Sequence, residues 1–343
     1  MKLGIIGLPR SGKSTIFDAL TRSSAQSGNR SEDRIGTIRV PDNRIETLSG
    51  MYNPKKTIYA QVEYFLPGVK GGAVDRRDQN VWTPVRDADA LIHVIRNFSG
   101  YGFDAPTPTA DFSEIDQDLI LIDQVSVEKR LERIELEKKR GRGIHPEEPG
   151  LLEKCLAALE NEQPLRRISE IAHSPVLRGF AFMSAKPKLV LFNNEDEDDN
   201  LPELSPAFGK EVTMVIRAKL EQELGQMSPE EAQEFLVEFN VTASAMDRVI
   251  KKSYALQGLI SFFTVGEDEV RAWTIRGDTP AVEAADVIHS DIKKGFIRAE
   301  VVSYADLMAA GSHAEARKRG TVRLEGKTYI VQDGDIINFR FNV

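Results

Sequence analysis

The stretch Gly7-Leu8-Pro9-Arg10-Ser11-Gly12-Lys13-Ser14-Thr15 decides the fold class, because it follows the pattern G-x-x-x-x-G-K-[ST]. An apolar run at 3–6 precedes this stretch and a helical pattern at 16–22 follows it, as a phosphate-binding loop requires. In such a loop, successive backbone N–H groups surround the β-phosphate, and the positive end of the next helix attracts the anion. The sequence therefore predicts that this chain binds a nucleoside triphosphate.

The predicted loop assigns a role to individual residues. Gly7 and Gly12 permit the tight backbone, Lys13 reaches the β- and γ-phosphates, and Ser14 is the predicted ligand of Mg²⁺. The predicted cofactor-binding residues in the loop are Gly7, Pro9, Arg10, Ser11, Gly12, Lys13, Ser14 and Thr15.

Four further short apolar runs predict the rest of a sheet, at 62–66, 90–95, 189–192 and 212–216. Helical patterns separate them, and this alternation is typical of a parallel-type sheet covered on both faces. The fold class expected is α/β, built around a P-loop nucleotide-binding domain.

The segment between the third and fourth runs has a different pattern. Asp111 with Glu114 three residues later marks a helix start, and apolar residues at helical spacing continue to about residue 134. The glycines at 141 and 143 end that helix, and a second helix is expected at about 150–162. We expect an inserted, coiled-coil-like helical hairpin, although two ordinary crossover helices would give a similar pattern.

From residue 259 onward, β-rich runs replace the helical patterns, at 259–265, 270–275, 297–302, 328–331 and 336–341. They indicate a small mixed α/β domain. The expected division is a nucleotide-binding domain at 1–110 and 176–258, an inserted helical hairpin at 111–175, and a final domain at 259–343.

Composition limits the class of protein. The 343 residues are 41% hydrophobic and 29% charged, as in ordinary globular proteins, and the net charge of −8 argues against broad nonspecific nucleic-acid binding. No apolar run approaches the roughly 18 residues that a membrane span needs, so no membrane partner is expected. Because the single cysteine, Cys155, cannot form an internal disulfide, a reducing cytoplasm is the expected location.

Recognition of the base is expected at the end of the run 189–192, where Asn193-Asn194-Glu195-Asp196-Glu197 follows. An asparagine amide can donate to N7 of a purine, and an acidic side chain can read the base edge. On the spacing alone, the same residues could form an acidic, solvated loop. The residues themselves leave ATP and GTP nearly equal as the ligand.

Several stretches make the chain resemble the YchF-type Obg-like ATPases, nearly from end to end. The resemblance includes Gly7-Leu8-Pro9 with Gly12-Lys13-Ser14-Thr15, Val40-Pro41-Asp42-Asn43-Arg44, and Arg86-Asp87-Ala88-Asp89-Ala90-Leu91-Ile92-His93-Val94-Ile95-Arg96. Its most specific part is C-terminal: Gly258-Leu259-Ile260-Ser261-Phe262-Phe263-Thr264, Lys294-Gly295-Phe296-Ile297-Arg298-Ala299-Glu300-Val301 and Val331-Gln332-Asp333-Gly334-Asp335. These stretches are similar to the TGS domain of that family, which has a ubiquitin-like fold.

The resemblance implies a base-specificity motif N-x-x-E and a preference for ATP over GTP. Asn194 and Glu197 match the motif, and a shift of one residue would use Asn193 and Asp196 instead. It also implies an association with ribosomes or RNA. The basic cluster Arg317-Lys318-Arg319, with Arg323 and Lys327 nearby, is then either an RNA contact or a solvated face.

The chain departs from the family pattern in the switches. Phe65 or Leu66 stands where the family has the aspartate of D-x-x-G, which holds the Mg²⁺ shell and senses the γ-phosphate, and Arg30 or Ser31 falls near the switch I threonine. Phosphoryl transfer depends on positioning and electrostatics, so we expect nucleotide binding with weak or absent hydrolysis. The alternative is a nucleotide-independent scaffold or pseudo-GTPase that acts through the TGS-like domain and the hairpin.

Overall fold

The computed structural model describes residues 2–22, 31–68, 82–100, 102, 104–238 and 244–342. Its strands are β1 Lys2–Ile6, β2 Arg34–Arg39, β3 Lys56–Ile58, β4 Gln61–Leu66, β5 Ala90–Asn97, β6 Lys188–Asn194, β7 Val212–Ile216, β8 Leu259–Val265, β9 Glu269–Arg276, β10 Phe296–Ser303, β11 Arg323–Glu325 and β12 Asp335–Phe341. Its helices are α1 Lys13–Thr21, α2 Asn43–Tyr52, α3 Pro108–Lys139, α4 Glu148–Glu160, α5 Ser169–Ala172, α6 Ala218–Leu224, α7 Pro229–Glu238, α8 Ala245–Leu256, α9 Ala281–Ile288, α10 Ser290–Lys294, α11 Tyr304–Ala310 and α12 His313–Lys318.

The chain divides into two compact units. The first comprises Met1–Thr37 and Glu63–Val249, and the second comprises Ile38–Val62 and Ile250–Val343. Each unit is therefore built from two separate stretches of the chain, and each contains a six-stranded sheet.

The sheet of the first unit has the strand order β2-β4-β1-β5-β6-β7. Strand β1 pairs in parallel with both β4 and β5, β5 pairs in parallel with β6, and β6 pairs in parallel with β7. All the apolar runs predicted for this sheet form strands, and the α/β class is confirmed. Because the loop after Ile6 follows the end of a parallel strand, it lies at the carboxyl edge of the sheet, where ligands bind in sheets of this kind.

Helix α3 serves two purposes along its 32 residues. Its first half packs on the sheet through buried Phe112, Ile115 and Leu119, as a crossover helix does. Its second half packs against α4, where Val127 and Ile134 join a core cluster with Leu152, Cys155 and Leu159. One part of this helix thus packs on the sheet and the other packs against α4, while the inserted hairpin and its limits 111–175 remain a prediction.

The sheet of the second unit is mixed, with the order β11-β10-β12-β8-β9-β3. Strands β8 and β9 form an antiparallel hairpin, β10 pairs antiparallel with β12, and β12 pairs parallel with β8. Helix α9 presents three fully buried alanines to a core that includes Phe262 and Val301. Small side chains let this helix approach the sheet closely.

The predicted run 328–331 does not form a strand, and this prediction was wrong. The segment makes only an isolated bridge between Ile330 and Pro280. Proline has no N–H to extend a ladder. The neighbouring backbone hydrogen bonds join Ala281 N to Tyr329 O at 2.7 Å and Val331 N to Thr279 O at 3.1 Å, at the entry to α9.

Residues 38–62 belong to the second unit, whereas the division expected from the sequence put them in the nucleotide-binding domain. The reason is β3, which pairs in parallel with β9 from Lys56↔Glu269 to Ile58↔Arg271. A strand of three residues is too short for its alternation to be recognised in the sequence.

Candidate nucleotide-binding site

The backbone of the loop from Gly7 to Gly12 takes conformations that favour glycine. Gly7 has φ 149° and Gly12 has φ 95°. A Cβ atom at Gly7 would collide with the carbonyl oxygen of Val94, and one at Gly12 would collide with the side-chain amide of Asn193. Residues of β5 and of the end of β6 therefore pack directly against the loop, and only glycine fits at positions 7 and 12.

Arg10, at the apex of the loop, also has a left-handed backbone, with φ 65°. This conformation costs a non-glycine residue of the order of 1 kcal/mol, and such residues cluster at functional sites. Pro9 and Arg10 are exposed, so the loop presents its apex to solvent.

Helix α1 begins at Lys13, directly after Gly12, and no side chain caps its first turn. That turn also contains no acidic residue, so the positive pole of the helix is not offset by a local carboxylate. Lys13 Nζ lies over the loop and donates to the carbonyl oxygens of Gly7 at 2.9 Å and Leu8 at 2.7 Å. Ser14, in the first turn of α1, is exposed.

The donor set of this loop fits a bound polyphosphate with Mg²⁺. Ser11 is buried, and its hydroxyl oxygen has no hydrogen-bond partner among the described residues. Together with the glycine backbone, the ammonium of Lys13 and the exposed hydroxyl of Ser14, it supplies the donors and the metal ligand that this class of loop uses. The described residues contain no cluster of three acidic, histidine or cysteine side chains that could hold a metal ion by itself.

Asn193 lies against the loop. Its side-chain Nδ2 donates to Ser11 O at 3.1 Å, and its Oδ1 accepts from the backbone N–H of Ala218 at 3.1 Å. Asn193 is buried and joins the loop to the start of α6. Asn194 is buried too, but its amide bonds to Asn97, Asp198 and the carbonyl oxygen of Asn200 instead.

The acidic residues that follow β6 also differ in their surroundings. Asp196 is half-buried, and its carboxylate accepts from the backbone N–H of Leu220 at 3.3 Å while its carbonyl oxygen accepts from Arg217 at 3.1 Å. Glu197 is exposed. Of the two registers that the sequence left open, the structure brings Asn193 to the loop and orders Asp196 against α6.

Phe65 and Leu66, the residues that the resemblance led us to expect in place of the switch II aspartate, are buried core residues. Phe65 belongs to a cluster that includes Ile6 and Met183, and Lys2 Nζ lies 3.9 Å from the centre of its ring. Gly68 N donates to Asp33 Oδ1 at 2.9 Å. Arg30, which the sequence placed near the switch I threonine, lies outside the described residues.

A buried ionic network connects α3 with β6, the strand that carries Asn193. Lys188 Nζ lies 2.6 Å from Asp116 Oδ1, and Arg166 bridges Asp116 at 2.7 Å and Glu211 at 2.6 Å. Burial acts against the ionised form of Asp116, but the positive charges of Lys188 and Arg166 outweigh it and lower its pKa to about 2. No sequence signal predicts this network, because its four residues are distant along the chain.

The predicted basic cluster in the second unit is largely paired with acids. Arg317 bonds to buried Glu300, and Lys318 and Arg319 both lie near Glu315. Arg323 pairs with Glu325 at 3.3 Å. The structure thus offsets much of the positive charge that the sequence suggested.

The helices in the described part of the chain include none with the length and apolar character that a membrane span requires.

The parallel strands, the glycine loop that follows β1 and the lysine at the start of α1 define the class of P-loop nucleotide-binding proteins. Comparisons with known proteins identify the family. The chain is 39% identical over 361 residues to the ribosome-binding ATPase YchF of Bacillus subtilis, with 99% of both chains covered. It is 35% identical over 360 residues to the ribosome-binding ATPase YchF of Haemophilus influenzae, and the alignment covers 100% of this chain and 99% of the relative.

The chain belongs to the YchF family. A family model named YchF-GTPase_C, described as a protein of unknown function (DUF933), matches residues 259–342. The structure of the Schizosaccharomyces pombe YchF GTPase superposes with a TM-score of 0.85 at 29% identity, covering 99% of this chain and 97% of that one.

Proposed function

We propose that this chain binds a purine nucleoside triphosphate together with Mg²⁺ at the loop from Gly7 to Thr15, with ATP favoured over GTP. The observation that carries the proposal is the loop itself. It has glycine-only backbone at Gly7 and Gly12, an uncapped helix behind it, and Lys13 folded over it. The Mg²⁺ ion, held by Ser14, would neutralise phosphate charge when bound.

For the base we propose Asn193 and Asp196 as the recognition pair. The bond from Asn193 to Ser11 O holds the side chain of this asparagine against the phosphate loop. Asn194, by contrast, spends its amide donors on Asp198 and Asn200. The N-x-x-E pattern of the family then reads N-x-x-D in this chain, and the preference for ATP rests on the family resemblance.

We propose that hydrolysis is slow. Phe65 and Leu66 are packed in the core, and neither can orient a Mg²⁺ shell. Because phosphoryl transfer depends on positioned charges, the loss of this carboxylate removes transition-state stabilisation while leaving the phosphate loop intact.

We further propose an association with the ribosome, in the cytoplasm. Two relatives that align with this chain almost completely are named ribosome-binding ATPases. An RNA contact at Arg317 to Arg319 is the less favoured site, since Glu300 and Glu315 pair with these cations.

Titration of labelled ATP and GTP against wild type and Lys13→Ala tests nucleotide binding. We expect wild type to bind both, ATP more tightly, and Lys13→Ala to lose at least about tenfold in affinity, because the phosphates lose a charge-assisted contact. Phosphate release from the same preparations should be slow for wild type. Turnover as fast as that of a relative with the switch II aspartate would contradict the slow-hydrolysis proposal.

Sedimentation of wild type and Lys13→Ala with ribosomes separates the two candidate functions. If nucleotide controls the association, only wild type responds to added ATP. If neither variant binds nucleotide and both sediment equally with ribosomes, the chain is a nucleotide-independent scaffold and the principal proposal is wrong.

A further inference from the structure

The carboxylate of Asp33 occupies a backbone donor beside the phosphate loop. Asp33 comes directly before β2, and its Oδ1 accepts from the N–H of Gly68 at 2.9 Å. The two segments are in close contact, because a Cβ atom at Gly68 would collide with the carbonyl oxygen of Ser31. The segment 31–33 thus lies directly on Gly68.

The strand register places Gly68 at the same edge of the sheet as the loop. Strands β1 and β4 are parallel, with Lys2 opposite Glu63 and Gly4 opposite Phe65. Strand β1 ends at Ile6 and β4 ends at Leu66, so Gly7 and Gly68 both follow the carboxyl ends of these neighbouring strands within two residues. Because the carboxyl ends of parallel strands meet at one edge, the N–H of Gly68 is a donor next to the start of the phosphate loop.

A donor at this position suits the last phosphate of a triphosphate. Backbone N–H groups at such edges bind phosphate oxygens, and the switch segments of this class respond to the γ-phosphate. A carboxylate oxygen is an anionic acceptor of the same kind. One N–H cannot donate at full strength to both anions, and two negative charges that share one donor repel each other.

We propose that Asp33 is a specificity-determining residue. Its carboxylate accepts from the N–H of Gly68, and the γ-phosphate must displace it to reach that donor. The site therefore binds a triphosphate less tightly, relative to a diphosphate, than it would without Asp33. The inference rests on the proposed nucleotide binding. A diphosphate ends at the β-phosphate, which the loop from Gly7 to Lys13 holds, and it leaves the contact between Asp33 and Gly68 intact. Binding of a triphosphate releases the segment 31–33 from Gly68.

The test is an equilibrium titration of wild type, Asp33→Asn and Glu32→Gln with ADP and with a non-hydrolysable imido analogue of ATP, each with Mg²⁺. Asp33→Asn keeps the shape and removes the charge. We expect it to raise the affinity for the analogue about tenfold and to change that for ADP by less than about twofold, because a charge-assisted hydrogen bond and a repulsion are both removed. Glu32→Gln is the matched control, as it removes the neighbouring exposed carboxylate. It should leave both affinities unchanged.

An unchanged ratio of the two affinities in Asp33→Asn overturns the inference. So does a fall in affinity for the analogue, which would mean that Asp33 helps to hold Mg²⁺ in place of the missing switch II carboxylate. Asp33→Ala should change the ratio in the same direction as Asp33→Asn and decides the matter if one variant fails to fold. The ADP titration tests the proposed nucleotide binding separately. If wild type binds neither ADP nor the analogue, both proposals are wrong. If wild type binds ADP but Asp33→Asn leaves the ratio of the two affinities unchanged, only the proposed role of Asp33 is wrong.

Discussion

Two adjacent asparagines at the end of β6 have opposite surroundings. Asn193 braces the phosphate loop through Ser11 O, and Asn194 joins Asn97 to the loop after the strand. Side chains on successive strand residues point to opposite faces, so a shift of one residue changes which asparagine meets the nucleotide. Counting motif positions cannot distinguish them, because both are asparagine.

Separate alanine substitutions of these residues should give different phenotypes. Asn193→Ala is expected to weaken nucleotide binding roughly five- to tenfold, because the loop loses a brace worth about 1 kcal/mol. Asn194→Ala is expected to lower the free energy of unfolding by about 1–3 kcal/mol, because buried partners are left unsatisfied, and to leave nucleotide affinity within about twofold. Nucleotide titration and urea denaturation of both variants measure the two effects.

If Asn194→Ala alone lost nucleotide affinity, Asn194 and Glu197 would be the base-recognition pair instead of Asn193 and Asp196. A change in the ATP-to-GTP ratio only in Asp196→Ala, and not in Glu197→Ala, would support the register proposed here.

At the scale of elements, the ionic network around Asp116 fixes α3 to β6. Lys188 is fully buried, and both Asp116 and Arg166 are less than a tenth exposed. Removing one member of a buried network leaves the others as uncompensated charges in a medium of low polarity. The network therefore joins the helix that leads to α4 with the strand that carries Asn193.

Asp116→Ala should lower the free energy of unfolding by about 3–5 kcal/mol, because it strands the charges of Lys188 and Arg166. Urea denaturation measures this loss. Glu135→Ala is the matched control on the same helix: Glu135 pairs with Lys138 in solvent, and the urea midpoint should not move.

The same network gives a direction for the dependence on pH. The pKa of Asp116 falls from its ordinary value of 3.8 to about 2 on folding, so its ionised form stabilises the native state. This contribution is complete above pH 3.8 and is lost as the pH falls from there through about 2. Wild type should therefore lose stability over this acid range more steeply than Asp116→Ala. Equal slopes would mean that Asp116 is not held ionised by its partners.

At the scale of the whole molecule, the sequence predicted what depends on local patterns. The loop from Gly7 to Thr15 has a fixed spacing, and β5 and β6 are long apolar runs, so both could be recognised directly. The strand β3 and the network at Asp116 depend on residues far apart in the chain, and no short window contains that information. The hydrogen bond that Gly68 N–H donates to Asp33 could not be predicted either, since it joins residues 35 positions apart.

The two tryptophans report on the two units separately, because Trp82 lies in the first and Trp273 in the second. Leu48 of α2 is fully buried in the second unit, although it precedes most of the first unit in the chain. Leu48→Ala should lower the free energy of unfolding of the second unit by about 2–5 kcal/mol through the cavity that it creates. The transition followed by Trp273 in a Trp82→Phe background should shift to lower urea.

In the Trp273→Phe background, the transition followed by Trp82 should move less than the one followed by Trp273. If Leu48→Ala moved only the transition of Trp82, residues 38–62 would contribute their stability to the first unit instead.

The pairing of β3 with β9 also has a consequence during synthesis on the ribosome. Lys56 is added to the growing chain roughly two hundred residues before its partner Glu269. At about 5–20 residues per second, β3 waits roughly 10–40 seconds without the edge that it completes. A nascent chain of this protein must therefore keep a short strand unpaired while the sheet around the phosphate loop is already being made, and a synonymous change that slows translation between them lengthens that exposure.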